Sequence, residues 1–330
     1  MKAIVAASYG GPEVLEYTTL ADPQPGPDEV LIRVHATSVN FADILARKGG
    51  FHSPRVPPFV PGLDLVGSVI KKGSGVHGFK TGNRVIAFPH AGSYCEIAVA
   101  RKVLTFPIPD ELDDSNAAGF PVAGCTAYKI LTEAGRLRTG ESVLVYGAAG
   151  GVGTYAIQMA RVLGAATIIA VVGNAARARL VKDLGTDDAL DRTQGEIASR
   201  VNELTDGRGV DVILNSAGGL TLAESLKCLA PFGRLVTFGI SSGGYGIVSS
   251  ELLHPSNRTL VGFSFGHIRK NRPETVASTV KSVLDLLVTG KVETVIGERF
   301  SLERADQAHL WVENREGVGK TLIDVNTWKK

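Results

Sequence analysis

The segment VLVYGAAGGVGTYAIQMAR, residues 143–161, joins an apolar strand to a helix through a tight bend of small residues. Three of its four glycines, Gly147, Gly150 and Gly153, follow a GxxGxxG spacing, with Ala148 in place of the first glycine of the GxGxxG fingerprint. Glycine lets backbone N–H groups approach a phosphate without a clashing Cβ, and a helix N-terminus adds about half a positive charge. No Lys-Ser or Lys-Thr follows, which disfavours a nucleoside triphosphate loop. We therefore predict a dinucleotide-binding turn.

The pyrophosphate would bind the backbone of this turn. The predicted residues are Ala149, Gly150, Gly151 and Val152. The alternative, an ordinary tight turn between a strand and a helix, is disfavoured because three further strand–helix units follow it along the chain.

Strand-like and helix-like segments alternate from about residue 119 onwards. TIIAVVG at 167–173 precedes NAARARLVKDLG, and GVDVILNSAG at 209–218 precedes GLTLAESLKCLAPFG. Buried strands that alternate with helices form a parallel sheet covered on both faces. The sequence therefore predicts an α/β, doubly wound domain over 119–266.

Residues 1–118 have a different pattern, in which short apolar runs alternate with loops rich in proline and glycine. EVLIRVHATSV at 29–39 and DLVGSVI at 64–70 are typical of strands, and DPQPGPDE at 22–29 is typical of a loop. The last 65 or so residues do not extend the strand–helix alternation. We predict that 1–118 and 267–330 form one β-rich domain, into which 119–266 is inserted.

Charge and composition exclude several classes of protein. The 35 basic and 33 acidic side chains give a net charge of +2, so charge alone indicates neither a nucleic-acid nor an acidic-membrane partner. No apolar stretch reaches the roughly 18 residues of a membrane span, and the N-terminal apolar run is too short for a signal peptide. The three cysteines form no CxxC pair, which suits a reducing compartment. We expect a cytoplasmic protein.

The end of the second predicted strand of the α/β domain distinguishes NADH from NADPH. A carboxylate about 20 residues after the glycine bend would bind the ribose 2′-hydroxyl of NADH. This sequence has Val172, Gly173 and Asn174 there, and Arg177 and Arg192 follow. Guanidinium groups bind phosphate in a bidentate manner, so we predict NADPH with Gly173, Asn174, Arg177 and Arg192 at its 2′-phosphate. The alternative is that these arginines lie on a solvated helix face.

Several motifs, in their order and spacing, show a resemblance that runs nearly end to end. They are GGPEVLEY at 10–17, PGPDEVLIRVHATSVNFADILARKG at 25–49, PFVPGLDLVGSV at 58–69, AGFPVAGCTAY at 118–128, the glycine bend, and GKTLIDV at 319–325. The sequence resembles the zinc-free quinone oxidoreductase (ζ-crystallin-like) family of the medium-chain dehydrogenase/reductase superfamily. The resemblance implies a GroES-like β-rich catalytic domain, an inserted Rossmann domain and a cleft between them.

The resemblance also allows the zinc-ligand positions of related alcohol dehydrogenases to be examined. Those enzymes use a cysteine, a histidine and a second cysteine or an aspartate; here the three positions look like Asn40, Leu63 (beside Asp64) and Val122. None of these can replace a thiolate or an imidazole on zinc. The four-cysteine structural zinc lobe is also absent from the sequence. We therefore predict no metal.

Without a Lewis acid, oxidation of an alcohol would lose several kcal/mol of charge stabilisation. Quinones and α,β-unsaturated carbonyls need less help, because hydride addition gives a delocalised phenolate or enolate. We predict an NADPH:quinone reductase with a small hydrophobic substrate. An NADPH-dependent enone or 2-alkenal double-bond reductase remains open, as does a low-turnover NADPH-binding protein with a structural or RNA-binding role, although the small net charge argues against strong RNA binding.

The resemblance implies further site residues. Asn40 and Asp43 lie in the motif that faces the nicotinamide in relatives, where Asn40 would donate to a developing oxyanion; Asp43 could instead pair with Arg47. Thr126 falls at the expected interdomain hinge, and relatives often carry tyrosines at the positions of Leu45 and Phe51. The remaining predicted cofactor residues are Asn215, Phe238, Gly239, Ile240, Phe263, Phe265 and Lys320.

The resemblance also bears on assembly. Relatives pair the edges of their Rossmann sheets, and RTLVGFSF at 258–265 is a plausible edge strand. An exposed apolar edge needs covering, so we expect a homodimer.

Overall fold

The computed structural model describes residues 1–50 and 55–325, which form two compact units. The first unit comprises the described residues of Met1–Cys125 and Gly266–Lys330, and the second is Thr126–Phe265. The units therefore divide at 125/126 and 265/266, whereas the predicted domain boundaries are 118/119 and 266/267. As boundaries of independently folding domains, the predicted positions stay predictions.

The N-terminal part of the first unit is built mainly from strands. Its strands are β1 (Lys2–Ala6), β2 (Leu15–Thr19), β3 (Glu29–Val39), β4 (Leu65–Lys72), β5 (Arg84–Ala87), β6 (Ile97–Arg101) and β7 (Thr105–Pro107). The helices are α1 (Phe41–Arg47), α2 (Asp114–Gly119) and α3 (Pro121–Lys129), the last of which contains the 125/126 division.

The second unit alternates strands with helices, as its sequence predicts. Its strands are β8 (Ser142–Tyr146), β9 (Thr167–Val172), β10 (Asp188–Asp191), β11 (Val210–Asn215), β12 (Leu229–Thr237) and β13 (Thr259–Gly262). Its helices are α4 (Gly151–Val162), α5 (Ala175–Asp183), α6 (Ile197–Leu204) and α7 (Leu220–Lys227).

The rest of the chain begins at the division between the units and completes the first one. It contains α8 (Phe265–Asn271), α9 (Val276–Val288), β14 (Ile296–Ser301), α10 (Ala305–Glu313) and β15 (Lys320–Asp324). Strand β15 pairs antiparallel with β3, with Leu322 opposite Ser38. The C-terminal segment therefore returns to the sheet that the first hundred residues began.

The two units carry different sheets. In the first unit, a seven-stranded sheet has the order β14-β15-β3-β4-β5-β7, with β6 on β3, and β1 pairs with β2 beside it. In the second unit, six parallel strands have the order β10-β9-β8-β11-β12-β13. Every residue of β11 is buried, as expected for a parallel strand covered on both faces. The predicted fold class, a GroES-like β-rich domain with an inserted Rossmann domain, is confirmed.

The strand order places a crevice in the parallel sheet. The chain runs outward from β8 through β9 to β10 on one side, and then resumes at β11 on the other side of β8. Ligands of such sheets bind at the carboxyl ends of the strands, where the order reverses. The ends of β8 and β11 are therefore the expected place for a dinucleotide.

Candidate cofactor site and active site

The predicted cofactor residues of the second unit lie at one edge of its sheet. Gly173 follows β9 and Arg192 follows β10, Asn215 is the last residue of β11, Phe238 follows β12, and Phe263 follows β13. Because the six strands are parallel, their carboxyl ends share an edge. The fold therefore brings these residues to the edge where the glycine bend also lies.

The glycine bend is shaped by close backbone contacts. Gly147 has a φ of +66°. A Cβ on Gly153 would lie 2.4 Å from the Gly147 carbonyl oxygen, so α4 packs directly against the bend. The N–H of Gly150 donates to that same carbonyl at 3.0 Å and is therefore already engaged. The amides of Gly151 and Val152 open the first turn of α4, where N–H groups have no acceptor within the helix.

Arg177 and Arg192 converge on Gly173. A Cβ on Gly173 would lie 3.7 Å from Arg177 Nη1 and 3.9 Å from Arg192 Nε, so both guanidinium groups lie over the bare backbone at the end of β9. Asn174 is the N-cap of α5, because its Oδ1 accepts a hydrogen bond from the backbone N–H of Arg177 at 3.0 Å. The last residue of β9 is Val172, so no carboxylate lies at the position that binds a 2′-hydroxyl in NADH enzymes.

Asn215 organises the loop that follows β11. Its side chain is fully buried, its Oδ1 accepts the N–H groups of Ala217 and Gly218 at 2.9 Å each, and its Nδ2 donates to Ser225 Oγ at 2.8 Å. A Cβ on Gly239 would lie 2.6 Å from the Ser216 carbonyl oxygen, so the segments after β11 and β12 lie close together. The buried side chain of Asn215 therefore holds the backbone of this loop in place, beneath the surface at which a cofactor would bind.

The other residues predicted in or at the edge of this unit differ in exposure. Phe238, Gly239, Ile240 and Phe263 are half-buried, and the N–H of Phe263 donates to the Thr237 carbonyl oxygen at 2.9 Å. Phe265 is 5% exposed, and Thr126 is a buried residue of α3 at the first position of the second unit. The side chains of Phe265 and Thr126 are therefore both buried.

A second group of predicted residues lies in the first unit, around Asn40. Asn40 is the N-cap of α1 and is 7% exposed. Its Oδ1 accepts from Lys320 Nζ at 2.8 Å, and its Nδ2 donates to Asp64 Oδ1 at 3.2 Å. Within 1–50 and 55–325, the other acceptors near Nδ2 are the carbonyl oxygen and Oγ of Ser38, at 3.4 and 3.5 Å. Both ends of the amide are therefore held, and its orientation is set.

Asp64 lies among the three positions that the resemblance matches to the ligands of zinc enzymes. It is fully buried; besides Asn40, its Oδ1 accepts from Ser38 Oγ at 2.8 Å, and its Oδ2 accepts the N–H of Val122 at 3.0 Å. The carbonyl oxygen of Leu63 accepts from Arg269 Nη1 at 2.9 Å. Hydrogen bonds through Asp64 therefore join Asn40 to Val122, and Leu63 precedes Asp64 in the chain. The three positions offer an amide, a leucine and a valine. No group of three His, Cys, Asp or Glu residues that could bind a metal occurs within 1–50 and 55–325.

Asp43 is 2% exposed, and its carboxyl group lies in the first turn of α1. Its Oδ2 accepts the backbone N–H of Asn40 at 2.9 Å. Burial raises the pKa of the Asp43 carboxyl to about 7, and nearby Asp64 adds to this rise, whereas the Asn40 N–H, Lys320 and Arg55 oppose it. Asp43 therefore changes charge near neutral pH.

The alternative in which Asp43 pairs with Arg47 is wrong. The Arg47 guanidinium donates to Glu313 Oε2 at 2.6 Å and to the Gly10 carbonyl oxygen at 3.1 Å. Helix α10, which ends at Glu313, therefore supplies the acidic partner of Arg47.

Lys320 lies at the start of β15, beside Asn40. It is 3% exposed, and its Nζ donates to the Val39 carbonyl oxygen at 3.0 Å as well as to Asn40. Burial lowers the pKa of its ammonium group, while Asp64 and Asp43 act in the opposite direction. Both of these hydrogen bonds of Nζ therefore run to residues 39 and 40 of its own unit.

Sequence reasoning missed two contributors to this site. Asp64 was noted only as the neighbour of Leu63, although a lone acid in the apolar run PFVPGLDLVG signals a buried, paired carboxylate. Arg269, which lies over the ring of Phe88 at 5.1 Å and donates to Leu63, carries no local signal. Leu45 is half-buried on α1, whereas Phe51 lies outside the described residues.

The chain is similar in sequence to dehydrogenases and quinone oxidoreductases. Residues 26–167 match the family described as "Alcohol dehydrogenase GroES-like domain", and residues 151–286 match "Zinc-binding dehydrogenase". A quinone oxidoreductase of Pseudomonas aeruginosa is 36% identical over 98% of this chain and 99% of its own length. The chain belongs to the zinc-free quinone oxidoreductase family of the medium-chain dehydrogenase/reductase superfamily. It is an oxidoreductase.

Solved structures of similar proteins agree with this assignment. A mycobacterial protein complexed with NADPH is 34% identical, with a TM-score of 0.93 over 98% of this chain and 100% of that one. The Escherichia coli quinone oxidoreductase complexed with NADPH is 28% identical, with a TM-score of 0.93 over the same shares. In the described part of this chain, no helix has the length and apolar character needed to cross a membrane.

Proposed function

We propose that this oxidoreductase reduces quinones with hydride from NADPH and needs no metal ion. The observation that carries the proposal is the Asn40 amide, held between Lys320 and Asp64 at the position where zinc dehydrogenases carry a thiolate. The names of the similar quinone oxidoreductases support the same chemistry.

The cofactor is NADPH, and the residues at the carboxyl edge of the parallel sheet fit it. Arg177 and Arg192 lie over Gly173, where no Cβ separates a ligand from the backbone, so a 2′-phosphate there would face two guanidinium groups. The first turn of α4 offers the amides of Gly151 and Val152 to the pyrophosphate. The half-buried segment 238–240 would face the nicotinamide end.

Bound NADPH supplies the hydride, and the chain has to stabilise the negative charge that the acceptor oxygen then carries. Asn40 has one amide proton for this purpose. Its Oδ1 is taken by Lys320 and one N–H points to Asp64, whereas the acceptors for its other N–H are weak ones on Ser38, at 3.4 and 3.5 Å. A substrate oxygen beside Asn40 would accept a hydrogen bond from this second N–H.

The donor set around Asn40 suits an acceptor that delocalises charge. Asn40, Leu63 and Val122 provide no thiolate or imidazole, and both oxygens of Asp64 already accept hydrogen bonds. An amide proton stabilises an oxyanion less than a Lewis acid does. Quinones need less stabilisation because the phenolate spreads the charge over its ring, and for this reason we place them ahead of simple carbonyls.

Parallel assays of NADPH oxidation test the substrate class. A naphthoquinone and a medium-chain enal would be compared at equal concentration, each with wild-type protein and with Asn40→Ala. We expect faster turnover of the quinone and a loss of about 100-fold in kcat for Asn40→Ala, which is the usual cost of removing one oxyanion donor. Preference for the enal would move the chain to the double-bond reductases. NADPH binding without turnover of either compound would favour a non-catalytic role.

A further inference from the structure

The side chain that sets the geometry of Asn40 is Lys320. The Lys320 ammonium group only donates hydrogen bonds, and both oxygens of Asp64 accept them, so these two side chains leave the amide one orientation: Oδ1 towards Nζ and Nδ2 towards Oδ1 of Asp64. A flipped amide would turn its NH2 group, a donor, towards the ammonium group and its oxygen, an acceptor, towards the carboxylate. The orientation that results is the one that leaves an N–H, rather than a lone pair, for a substrate oxygen.

The contact with Lys320 also changes the strength of that N–H as a donor. A cation that donates to the amide oxygen withdraws electron density from the amide nitrogen, and linked hydrogen bonds polarise one another in this way. The contact is 2.8 Å long and shielded from water, because Lys320 is 3% and Asn40 7% exposed. Low local dielectric strengthens electrostatic interactions of this kind.

The position of Nζ is itself fixed. Its second hydrogen bond, 3.0 Å long, runs to the carbonyl oxygen of Val39, and β15 pairs with β3 so that Thr321 lies opposite Val39. A long lysine side chain would otherwise have several rotamers, and here the strand pairing and the Val39 carbonyl hold it. The ammonium group is therefore a preorganised charge rather than a mobile one.

We propose that Lys320 is a positioning residue for hydride transfer: it fixes and polarises the Asn40 amide, and so supplies through that amide part of the positive charge that a metal ion supplies in the zinc enzymes. The proposal rests on the proposed function, because it concerns the oxyanion formed in that reaction. It differs from the role that the resemblance implies for Lys320, that of a cofactor-binding residue.

A double-mutant cycle in kcat tests the proposal with Lys320→Met, Asn40→Ala and the double variant. We expect Lys320→Met to lower kcat about 10- to 100-fold, with little change in the dissociation constant of NADPH. In the Asn40→Ala background, the same replacement should change kcat by less than about threefold, because the two residues act as a unit. An equal loss in both backgrounds would overturn the proposal, as would an unchanged kcat in Lys320→Met or a selective loss of NADPH affinity.

Lys129→Met is the matched control, since Lys129 is also 3% exposed and its Nζ donates to Glu133 rather than to Asn40. It should leave kcat within about twofold of the wild type. Lys320→Arg provides a second variant that retains the charge if Lys320→Met does not fold. We expect it to restore more of kcat than Lys320→Met does; an Arg variant as slow as Asn40→Ala, in folded protein, would contradict a role for the charge.

The nuclear magnetic resonance signal of the Asn40 side-chain amide gives a readout that does not depend on turnover. In protein labelled with ¹⁵N-asparagine, a hydrogen bond from Lys320 to the amide oxygen should slow rotation about the amide C–N bond, and Lys320→Met or Lys320→Arg should change this rate and the amide shifts. Unchanged signals in both variants would overturn the proposal. If the wild type reduces neither quinone nor enal, the proposed function fails, and the amide signals still decide whether Lys320 holds Asn40.

Discussion

At the scale of single residues, Arg177 and Arg192 are an example of site residues that can be predicted from the sequence. The absence of a carboxylate after β9 and the presence of nearby arginines predict a phosphate site, and both guanidinium groups lie within 4 Å of a Cβ placed on Gly173. The separate role of Asn174 as the N-cap of α5 was open to prediction too, because asparagine directly before a helix is a common cap. Whether these residues bind a 2′-phosphate stays a prediction.

Replacing Arg177 with alanine should separate NADPH from NADH. We expect the dissociation constant for NADPH to rise about 10-fold or more, which corresponds to the loss of one charged hydrogen bond, and the constant for NADH to change little. Titration of nicotinamide fluorescence measures both constants.

Arg179→Ala is the control for this experiment, because Arg179 is an exposed arginine on the same helix. It should alter neither constant by more than about twofold. Equal weakening of NADPH and NADH in Arg177→Ala would contradict the phosphate assignment.

Asp43 makes the stability of the protein depend on pH in a defined direction. Its folded-state pKa of about 7 lies above its usual value of 3.8 because burial disfavours the charged form, and the charged groups that face it are Asp64, Lys320 and Arg55. A proton held more tightly in the folded state stabilises the fold below about pH 4, and this contribution is lost as the pH rises towards 7. Its slope is about 1.4 kcal/mol per pH unit within that window.

Asp43→Asn should remove this slope. The asparagine Oδ1 can still accept the Asn40 N–H, so we expect the variant to gain stability relative to the wild type as the pH rises from 5 to 7.5. Urea unfolding at both pH values measures the difference. Asp110→Asn, at an exposed carboxylate, is the control and should show no such trend. A constant difference between wild type and Asp43→Asn at the two pH values would contradict the assignment.

At the scale of elements, the start of α4 depends on two glycines for different reasons. A Cβ on Gly153 would lie 2.4 Å from the Gly147 carbonyl oxygen and 2.6 Å from Ala148 Cα, whereas one on Gly150 would meet nothing closer than 3.3 Å. Backbone cannot move away as a flexible side chain can. Gly153 is thus required by packing, whereas the open space beside Gly150 is where we expect the cofactor to bind.

Gly153→Ala should therefore destabilise the fold by about 1–3 kcal/mol, as overpacking does. Gly150→Ala should change the unfolding free energy much less and should weaken NADPH binding instead. Thermal unfolding and NADPH titration of the two variants check this separation. Equal stability of Gly153→Ala and the wild type would show that α4 does not pack against the bend in this way.

Strands and helices were predictable where their pattern is long and uniform. β3, β9, β11 and α4 carry continuous or periodic apolar residues, and the sequence predicts each of them. The elements that escaped prediction are short or two-sided. Helix α1 has only seven residues, and β14 reads IGERFS with no buried residue. Such segments take their structure from their neighbours, since pairing and caps outweigh local pattern.

At the scale of the whole molecule, β13 is an edge strand of the parallel sheet, paired with β12 alone among the described strands. An unpaired edge tends to pair with another chain, so the homodimer expected from the sequence stays our prediction. Light scattering should give the mass of two chains for the wild type. Val261→Lys, in the middle of β13, should give one chain, because charge blocks edge pairing.

Val162→Lys serves as the control for this replacement, because Val162 is a partly exposed valine at the end of α4, away from the sheet edge. It should leave the mass at that of two chains. A wild-type protein with the mass of a single chain would contradict the expected dimer.

At this scale, the arrangement of the domains can be predicted from the sequence, but the long-range contact between Asn40 and Lys320 cannot. The insertion of one unit into another can be predicted from the change of pattern at about residue 119 and from the last 65 or so residues, which do not extend the strand–helix alternation. The contact between Asn40 and Lys320 joins residues 280 positions apart, and no periodicity connects them. It exists because β15 pairs with β3, so the residues that open β15 and follow β3 become neighbours.

Metal content measured together with quinone turnover tests the central claim most directly. The purified protein would be dialysed against EDTA, its zinc quantified by mass spectrometry, and NADPH oxidation followed with a naphthoquinone before and after dialysis. We predict less than about 0.1 zinc per chain and unchanged kcat, because Asn40, Leu63 and Val122 offer no zinc ligand set. Stoichiometric zinc, or turnover that EDTA abolishes and added zinc restores, would contradict the account.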